Sequence, residues 1–291
     1  MRVIPLAFDS LGTRSMATLV ETADIRILID PGAALGPSRY GLPPHPIEKE
    51  RLKEHKKKIR EAAREADVLV ITHYHFDHYL RDSPEMYEGK ILLLKDPRCW
   101  INQSQRNRAQ EFLSILEGRP SRIEIADGKE FYFGRTRIKF SQPFPHGMEG
   151  TKLGFVLMCL IESGGQKTLF SSDIGGPSYP PTAKWIIREE PELLIIDGPA
   201  TLFIGWREPP EILSKANELL LEILSQVRPW KTIIDHHVVR DLEWMEKMKP
   251  VIEAAKREGI SMETAAEFLG LRPDFLEARR RELYGMKGRL V

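Results

Sequence analysis

The run Thr72-His73-Tyr74-His75-Phe76-Asp77-His78 places four metal-ligand side chains, His73, His75, Asp77 and His78, within one turn of chain. Imidazole nitrogen and carboxylate oxygen are the ligands that borderline divalent cations such as zinc prefer. A single His is ordinarily a satisfied polar residue, and one Asp after a strand is turn chemistry. Three His and an Asp at this spacing, which a tight turn can aim at two neighbouring sites, point instead to a metal centre.

The elements that must position this run are legible around it. Residues 66–72 are apolar and β-branched, the pattern of a buried strand. The ligands then lie at a strand's carboxyl end, where open α/β sheets place their sites. Five other places repeat the arrangement: Asp30 after 25–29, His146 after a strand at 137–141, Asp173 after 169–172, Asp197 after 193–196, and His236 with His237 after 232–235. Together they predict a rim of strand ends around one site.

These motifs, in this order, resemble the metallo-β-lactamase superfamily of metal-dependent hydrolases. The resemblance spans roughly residues 1–245 and implies an α/β fold, a four-layered αββα sandwich of two mixed sheets with metals at one edge. Residues 246–291 would be a C-terminal helical extension packed on the same domain. Carried over position by position, His73, His75 and His146 would hold a first metal, Asp77, His78 and His236 a second, and Asp173 would bridge them. Asp77 and Asp173 are then the catalytic carboxylates. Asp30 would orient the cluster through hydrogen bonds, and Arg240, four residues after His236, matches a His and Arg spacing of transfer-RNA-processing relatives. His237 is the alternative to His236, and Asp197 matches an acidic residue often found after the following strand.

Two divalent ions sharing a hydroxide would make it a nucleophile at neutral pH and stabilise the developing oxyanion. Zinc is the first choice, with iron or manganese as alternatives, because selectivity among them depends on geometry and availability. Asp173, where the commonest β-lactamases have Cys, argues against antibiotic hydrolysis; His75, where flavodiiron proteins have Glu, argues against dioxygen reduction. Arg81 stands where many relatives have Gly.

The remaining elements follow from periodicity. Strands are expected at 2–8, 17–21, 25–30, 90–94, 122–126, 130–133, 137–141, 153–161, 167–171, 193–197 and 231–235. Helices are expected at 48–66, from the polar stretch after 98 to 116, at 183–188 and at 211–227. The tail after 242 reads as helical, including 261–269 and a last helix bracketed by Pro273 and Gly285. The Gly/Pro-rich stretch 36–47 and the stretch 96–110 are candidate walls of the substrate site.

The chain has 291 residues, 43 basic against 42 acidic side chains and a net charge of +1. That balance gives no global pull toward nucleic acid or membrane, so any anion-binding surface is local. No apolar run reaches membrane-spanning length, and a cytoplasmic protein is expected. Cys159 lies in an apolar strand and reads as core.

These features favour a hydrolase of a small anionic ester, phosphodiester or lactone, with Arg39, Lys95, Arg98, Arg106, Arg108, Lys152 and Arg240 as candidate anion contacts. A nuclease gripping nucleic acid through the basic helix at 48–66 is the second reading, disfavoured by the neutral charge. A metal-binding module without turnover is the third, disfavoured by the complete ligand set. Neither substrate nor oligomeric state is legible.

Overall fold

The computed structural model describes residues 1–286. Alternation along the early strands assigns them to one sheet with two buried faces. Strands β1 (Arg2–Phe8), β2 (Met16–Glu21), β3 (Arg26–Ile29), β4 (Val68–Ile71), β5 (Ile91–Leu94) and β6 (Arg122–Ile125) pair in that order. The first two pairings are antiparallel and the rest parallel. Consequently β1, β3 and β4 all point toward the same edge.

A second sheet is built from β7 (Glu130–Phe133), β8 (Thr136–Phe140), then, beyond a short ribbon of β9 (Phe144–Pro145) and β10 (Phe155–Val156), β11 (Cys159–Ser163), β12 (Gln166–Phe170), β13 (Leu193–Ile196), β14 (Lys231–Ile234) and β15 (Ser261–Glu263). Its order is β15-β14-β13-β12-β11-β8-β7. From β12 to β15 the strands are parallel.

Period-2 patterning divides the side chains of each strand between two cores. Ile27, Ile29, Val68 and Val70 meet Ile138, Phe140, Cys159, Ile195 and Ile233 between the sheets. Leu28, Leu69 and Ile71 face outward onto Ile59 and Ala63 of α1 (Pro46–Glu65) and Ala109 and Phe112 of α2 (Gln103–Ile115). On the other side, Leu194, Ile196 and Ile234 pack against Ile186 of α3 (Pro180–Glu189), Leu220 and Ile223 of α4 (Pro210–Val227) and, past the single turn α5 (Trp244–Lys247), Val251 of α6 (Lys249–Arg257). The layering is αββα, as the resemblance implied.

Two expectations are corrected. The run 153–161 is not one strand: Leu157 and Met158 separate the ribbon strand β10 from β11, and Leu157 N donates to Thr72 O. The tail is not uniformly helical either. Residues 261–263 are β15, paired to β14, followed by a single capped turn α7 (Ala265–Phe268) whose Thr264 and Glu267 form a capping box. Pro273 begins no helix, because the backbone beyond it is committed to tertiary bonds such as Asp274 N to Ser10 O. Among the described residues beyond Pro273, only α8 (Arg280–Leu283) is helical. Residues 287–291 of the expected extension lie outside the described residues.

Arg280 is fully buried. Its guanidinium makes a bidentate pair with Glu48 (2.7 and 2.8 Å) and donates to the carbonyls of Gly36 and Leu42. The C-terminal segment thereby holds the loop 33–45 in place. On the same helix as Glu48, His55 is buried with Nδ1 2.6 Å from Thr13 Oγ1. Burial, together with the cations Lys58 and Arg51, pushes its pKa down to about 3. A group depressed in the fold makes the unfolded state bind more protons, so its contribution to stability is present above about pH 6.5 and declines as pH falls toward 3. In urea melts between pH 6 and 4, His55→Gln is expected to show a shallower loss of stability, by up to about 1.4 kcal/mol per pH unit. Equal slopes in the two proteins would show that His55 is not held neutral.

Candidate metal centre

Strand directions bring the ligand-type residues to one edge. Asp9 follows β1, Asp30 follows β3, the run 72–78 follows β4, His146 follows β9, Asp173 follows the two serines after β12, Asp197 follows β13, and His236 and His237 follow β14 by one residue. Three of these strand ends turn through left-handed backbone: Asp30 (φ +46°), Ser172 (φ +56°) and His236 (φ +71°). Non-glycine residues adopt that region at a cost and only where surroundings over-determine it. Close approach enforces the geometry as well. A Cβ at Gly32 would lie 2.1 Å from Tyr79 N, so the β3 loop passes directly against the backbone of the His78 turn.

Asp173 is the meeting point. Its Oδ2 lies 3.1 Å from His146 Nε2, 3.3 Å from His78 Nε2, 3.6 Å from His73 Nε2 and 3.4 Å from His237 Nε2. Its Oδ1 lies 3.4 Å from His236 Nε2. Asp77 stands 3.9 Å from His78 Nε2 and 3.8 Å from His236 Nε2. Among the ligand groupings whose donor atoms all lie within 4.8 Å of one another are His73, His75, His146 and Asp173, and Asp77, His78 and His236. His236 and His237 both reach the cluster and also group with Asp173.

The opposite ring nitrogens are tied down. His78 Nδ1 donates to Asp30 Oδ2 (2.8 Å), and Asp30 also accepts from Thr72 N (2.8 Å) and Thr72 Oγ1 (2.6 Å). His236 Nδ1 donates to Asp9 Oδ2 (2.7 Å), and His237 Nδ1 to Asp197 Oδ2 (2.9 Å). Each carboxylate fixes a tautomer whose Nε2 lone pair faces inward. Asp197 also accepts from Gly175 N and Gly176 N, so it positions His237 and the turn after Asp173 together. Asp235 accepts from Ser10 N, His236 N and Ala265 N, tying the β1, β14 and β15 ends.

Inside the cluster, donors lack partners. The Nε2 atoms of His73, His78 and His146 and Oδ1 of Asp173 are buried without a hydrogen bond. Buried polar atoms left unsatisfied are rare and costly. Several converging on one point fit a divalent cation, and the N and O donor set suits zinc, iron or manganese. Burial would push the Asp173 carboxyl up, but the imidazoles of His78, His236 and His237 outweigh it and hold it well below the usual carboxylate range. Burial and the neighbouring His146 push His75 down to about 3, and burial with His78 pushes His73 well below 6.5. Both rings are therefore available as neutral ligands.

Charged residues named from sequence separate by burial. Arg240 is no free anion contact: its Nε donates to Asp9 Oδ1 (2.7 Å) and its Nη2 lies 3.1 and 3.2 Å from the His236 ring nitrogens. Lys95 is corrected similarly, being buried and paired with Asp127 at 2.7 Å. Arg98 pairs with Asp96 and Arg106 donates to Arg98 O; Lys152 is exposed. Arg39 donates to Arg240 O, and Arg108 lies over Phe76, which places parts of both expected walls beside the centre. Burial pushes the Glu208 carboxyl up, while the charges of His237 and His146 pull it down. Asp9 was missed, although it obeys the strand-end pattern used for the others.

The fold and this cluster define the class. The chain belongs to the metallo-β-lactamase superfamily; residues 25–237 match the model of the beta-lactamase superfamily domain. Nearer in sequence it is similar to the UPF0282 protein of Korarchaeum cryptofilum, 46% identical over 98% of this chain and 94% of that protein. Among solved structures, the diiron β-hydroxylase CmlA of Streptomyces venezuelae superposes with a TM-score of 0.53 at 12% identity, covering 87% of this chain and 51% of that chain. Unliganded yeast PDE1 superposes with a TM-score of 0.51 at 12% identity, covering 90% of this chain and 96% of that chain. At such identities these likenesses speak to fold alone.

Asp9 accepts from Ser15 N and faces the centre through His236 and Arg240, so its loss should be selective. Asp9→Asn is expected to weaken the Asp77/His78/His236 site for zinc by about 10–100-fold, leaving the His73/His75/His146 site nearly unchanged. A chelator competition titration would resolve the two affinities, and a uniform loss at both would contradict the assignment.

Proposed function

We propose that the chain is a dinuclear metal-dependent hydrolase of a small anionic ester, with a phosphodiester the first choice over a lactone or carboxylic ester. The observation that carries this reading is the convergence of unpartnered, buried donors from two ligand sets on the single carboxylate of Asp173. Two divalent ions held there would activate a water as nucleophile at neutral pH and draw off charge developing on the substrate.

The chain's own residues do the positioning. His73, His75 and His146 would hold one ion and Asp77, His78 and His236 the other, with Asp173 shared. Asp30 and Asp9 keep the imidazoles in the tautomer that presents Nε2. His237, held by Asp197, turns its Nε2 into the same space and is placed to touch a substrate oxygen. Arg39 and Arg108 supply positive charge at the walls, and no carboxylate pairs with either among the described residues.

Charge pairing supports a small substrate over nucleic acid. On α1, Lys53 pairs with Glu50, Lys56 with Asp82 and Lys57 with Glu61, which leaves less free charge for counterion release on a polyanion. Among the described residues no helix is long and apolar enough to cross a membrane.

Zinc-reconstituted protein is expected to carry roughly two ions per chain and to hydrolyse at least one chromogenic phosphodiester, with activity abolished by chelation and restored by zinc. Asp173→Ala should remove both ions together and lower kcat/KM by at least about a hundredfold, as read by metal analysis and a p-nitrophenol assay. Fewer than one ion per chain after reconstitution would sink the dinuclear mechanism.

A further inference from the structure

Phe76 stands between the ligands His75 and Asp77, and its ring reaches the surface at 36% exposure. Two guanidiniums lie over that one ring: the Cζ of Arg81 and of Arg108 are each 4.5 Å from its centroid. Such distances are those of favourable cation–π contacts, yet they also bring two like charges onto the same small surface. Their neutralisation is incomplete. Arg81 has Glu111 at 3.1 Å, with both side chains half exposed. Arg108 has no carboxylate within ion-pair reach among the described residues, and its one hydrogen bond is a long 3.4 Å contact to Tyr74 O.

The arrangement is held by the frame of the metal centre. Gln105, one turn before Arg108 on α2, accepts from Tyr74 N and donates to Leu153 O, while Asn102 at the helix cap donates to Lys152 O. The helix is thereby fastened both to the 73–78 turn and to the loop that follows His146. Arg81 itself leaves that turn three residues after His78. The backbone that carries both guanidiniums is thus fixed before any substrate arrives, which lowers the ordering cost of binding.

We infer that Arg81 and Arg108, gathered on Phe76, bind a second phosphate group of the substrate, adjacent to the ester that the metal centre would cleave. This rests on the hydrolase reading above and narrows it to a phosphodiester bearing a neighbouring phosphate. A terminal phosphate offers three free oxygens to two planar forks, whereas a carboxylate offers two. With two guanidiniums at the ring, the subsite recognises charge.

The probes are thymidine 3′,5′-bisphosphate against thymidine 5′-monophosphate, titrated calorimetrically into zinc-loaded full-length protein, and the p-nitrophenyl ester of thymidine 5′-phosphate with and without a 3′-phosphate. The bisphosphate is expected to bind at least about tenfold more tightly, the worth of one charge-assisted contact. The kcat/KM of the 3′-phosphorylated ester should exceed that of the plain ester by a similar factor. Arg108→Met is expected to bring both ratios to about one and Arg81→Met to lower them. Arg108→Lys, which keeps charge and loses the fork, should fall between wild type and Arg108→Met, and it supplies the reading if Arg108→Met fails to retain zinc. Lys57→Met, a charge change on the far helix, should leave the ratios intact. Equal binding of the two nucleotides by wild type, or ratios that survive Arg108→Met, would overturn the subsite. Failure to turn over either ester while the binding ratio holds and collapses in Arg108→Met would remove the hydrolase reading and leave the subsite standing.

Discussion

One buried carboxylate sets the terms for the rest of the molecule. Asp173 lies 1% exposed, and taking an unpaired carboxylate out of water is among the most unfavourable things a fold can do. The side chain is tolerated because imidazoles from both sheets surround it. That arrangement is possible only if β4, β12 and β14 end at one edge, which in turn demands the parallel register of β3 to β6 and of β12 to β15. The left-handed backbone at Asp30, Ser172 and His236 is a consequence of the same demand. Such residues cost about 1–3 kcal/mol each, and the hydrogen bonds of Asp30 to Thr72 and of Asp235 to three backbone amides hold them there.

Much of this was legible before any coordinates. Strands reveal themselves by alternation, and a ligand-type residue directly after a buried strand is a local signal, so Asp30, the 73–78 run, His146, Asp173, Asp197 and the 236/237 pair stood out. Asp9 satisfies the same pattern. Only the pairing of β1 through β2 to β3 shows that β1 points at the same edge. Sequence treated His236 and His237 as alternatives for one ligand position; after Asp235 the chain turns through the positive φ of His236 and both rings, 4.5 Å apart, reach Asp173.

Where sequence misled, the missing information was tertiary. Lys95 and Arg108 are equally cationic on paper, but Asp127 neutralises the first inside the fold, while among the described residues no carboxylate pairs with the second. The segment 261–269 has spacing compatible with a helix. It becomes a strand and a capped turn because β14 has an open parallel edge and because Asp235 accepts from Ala265 N. Partners distant in sequence decide both cases.

The buried pair between Arg280 and Glu48 carries a consequence for how this molecule can vary. Loop 33–45 forms one wall of the centre, and its carbonyls at Gly36 and Leu42 are held by a guanidinium contributed from the far end of the chain. Tyr40 of the same loop donates to Ala278 O, and Arg14 grips Glu277 close by. This wall, which the proposed hydrolase would use for recognition, is therefore a joint product of two segments more than two hundred positions apart. Among relatives, drift in the shape of that wall should leave its trace as paired substitutions in the two segments, so selectivity would be inherited through covariation and not through changes confined to the loop itself.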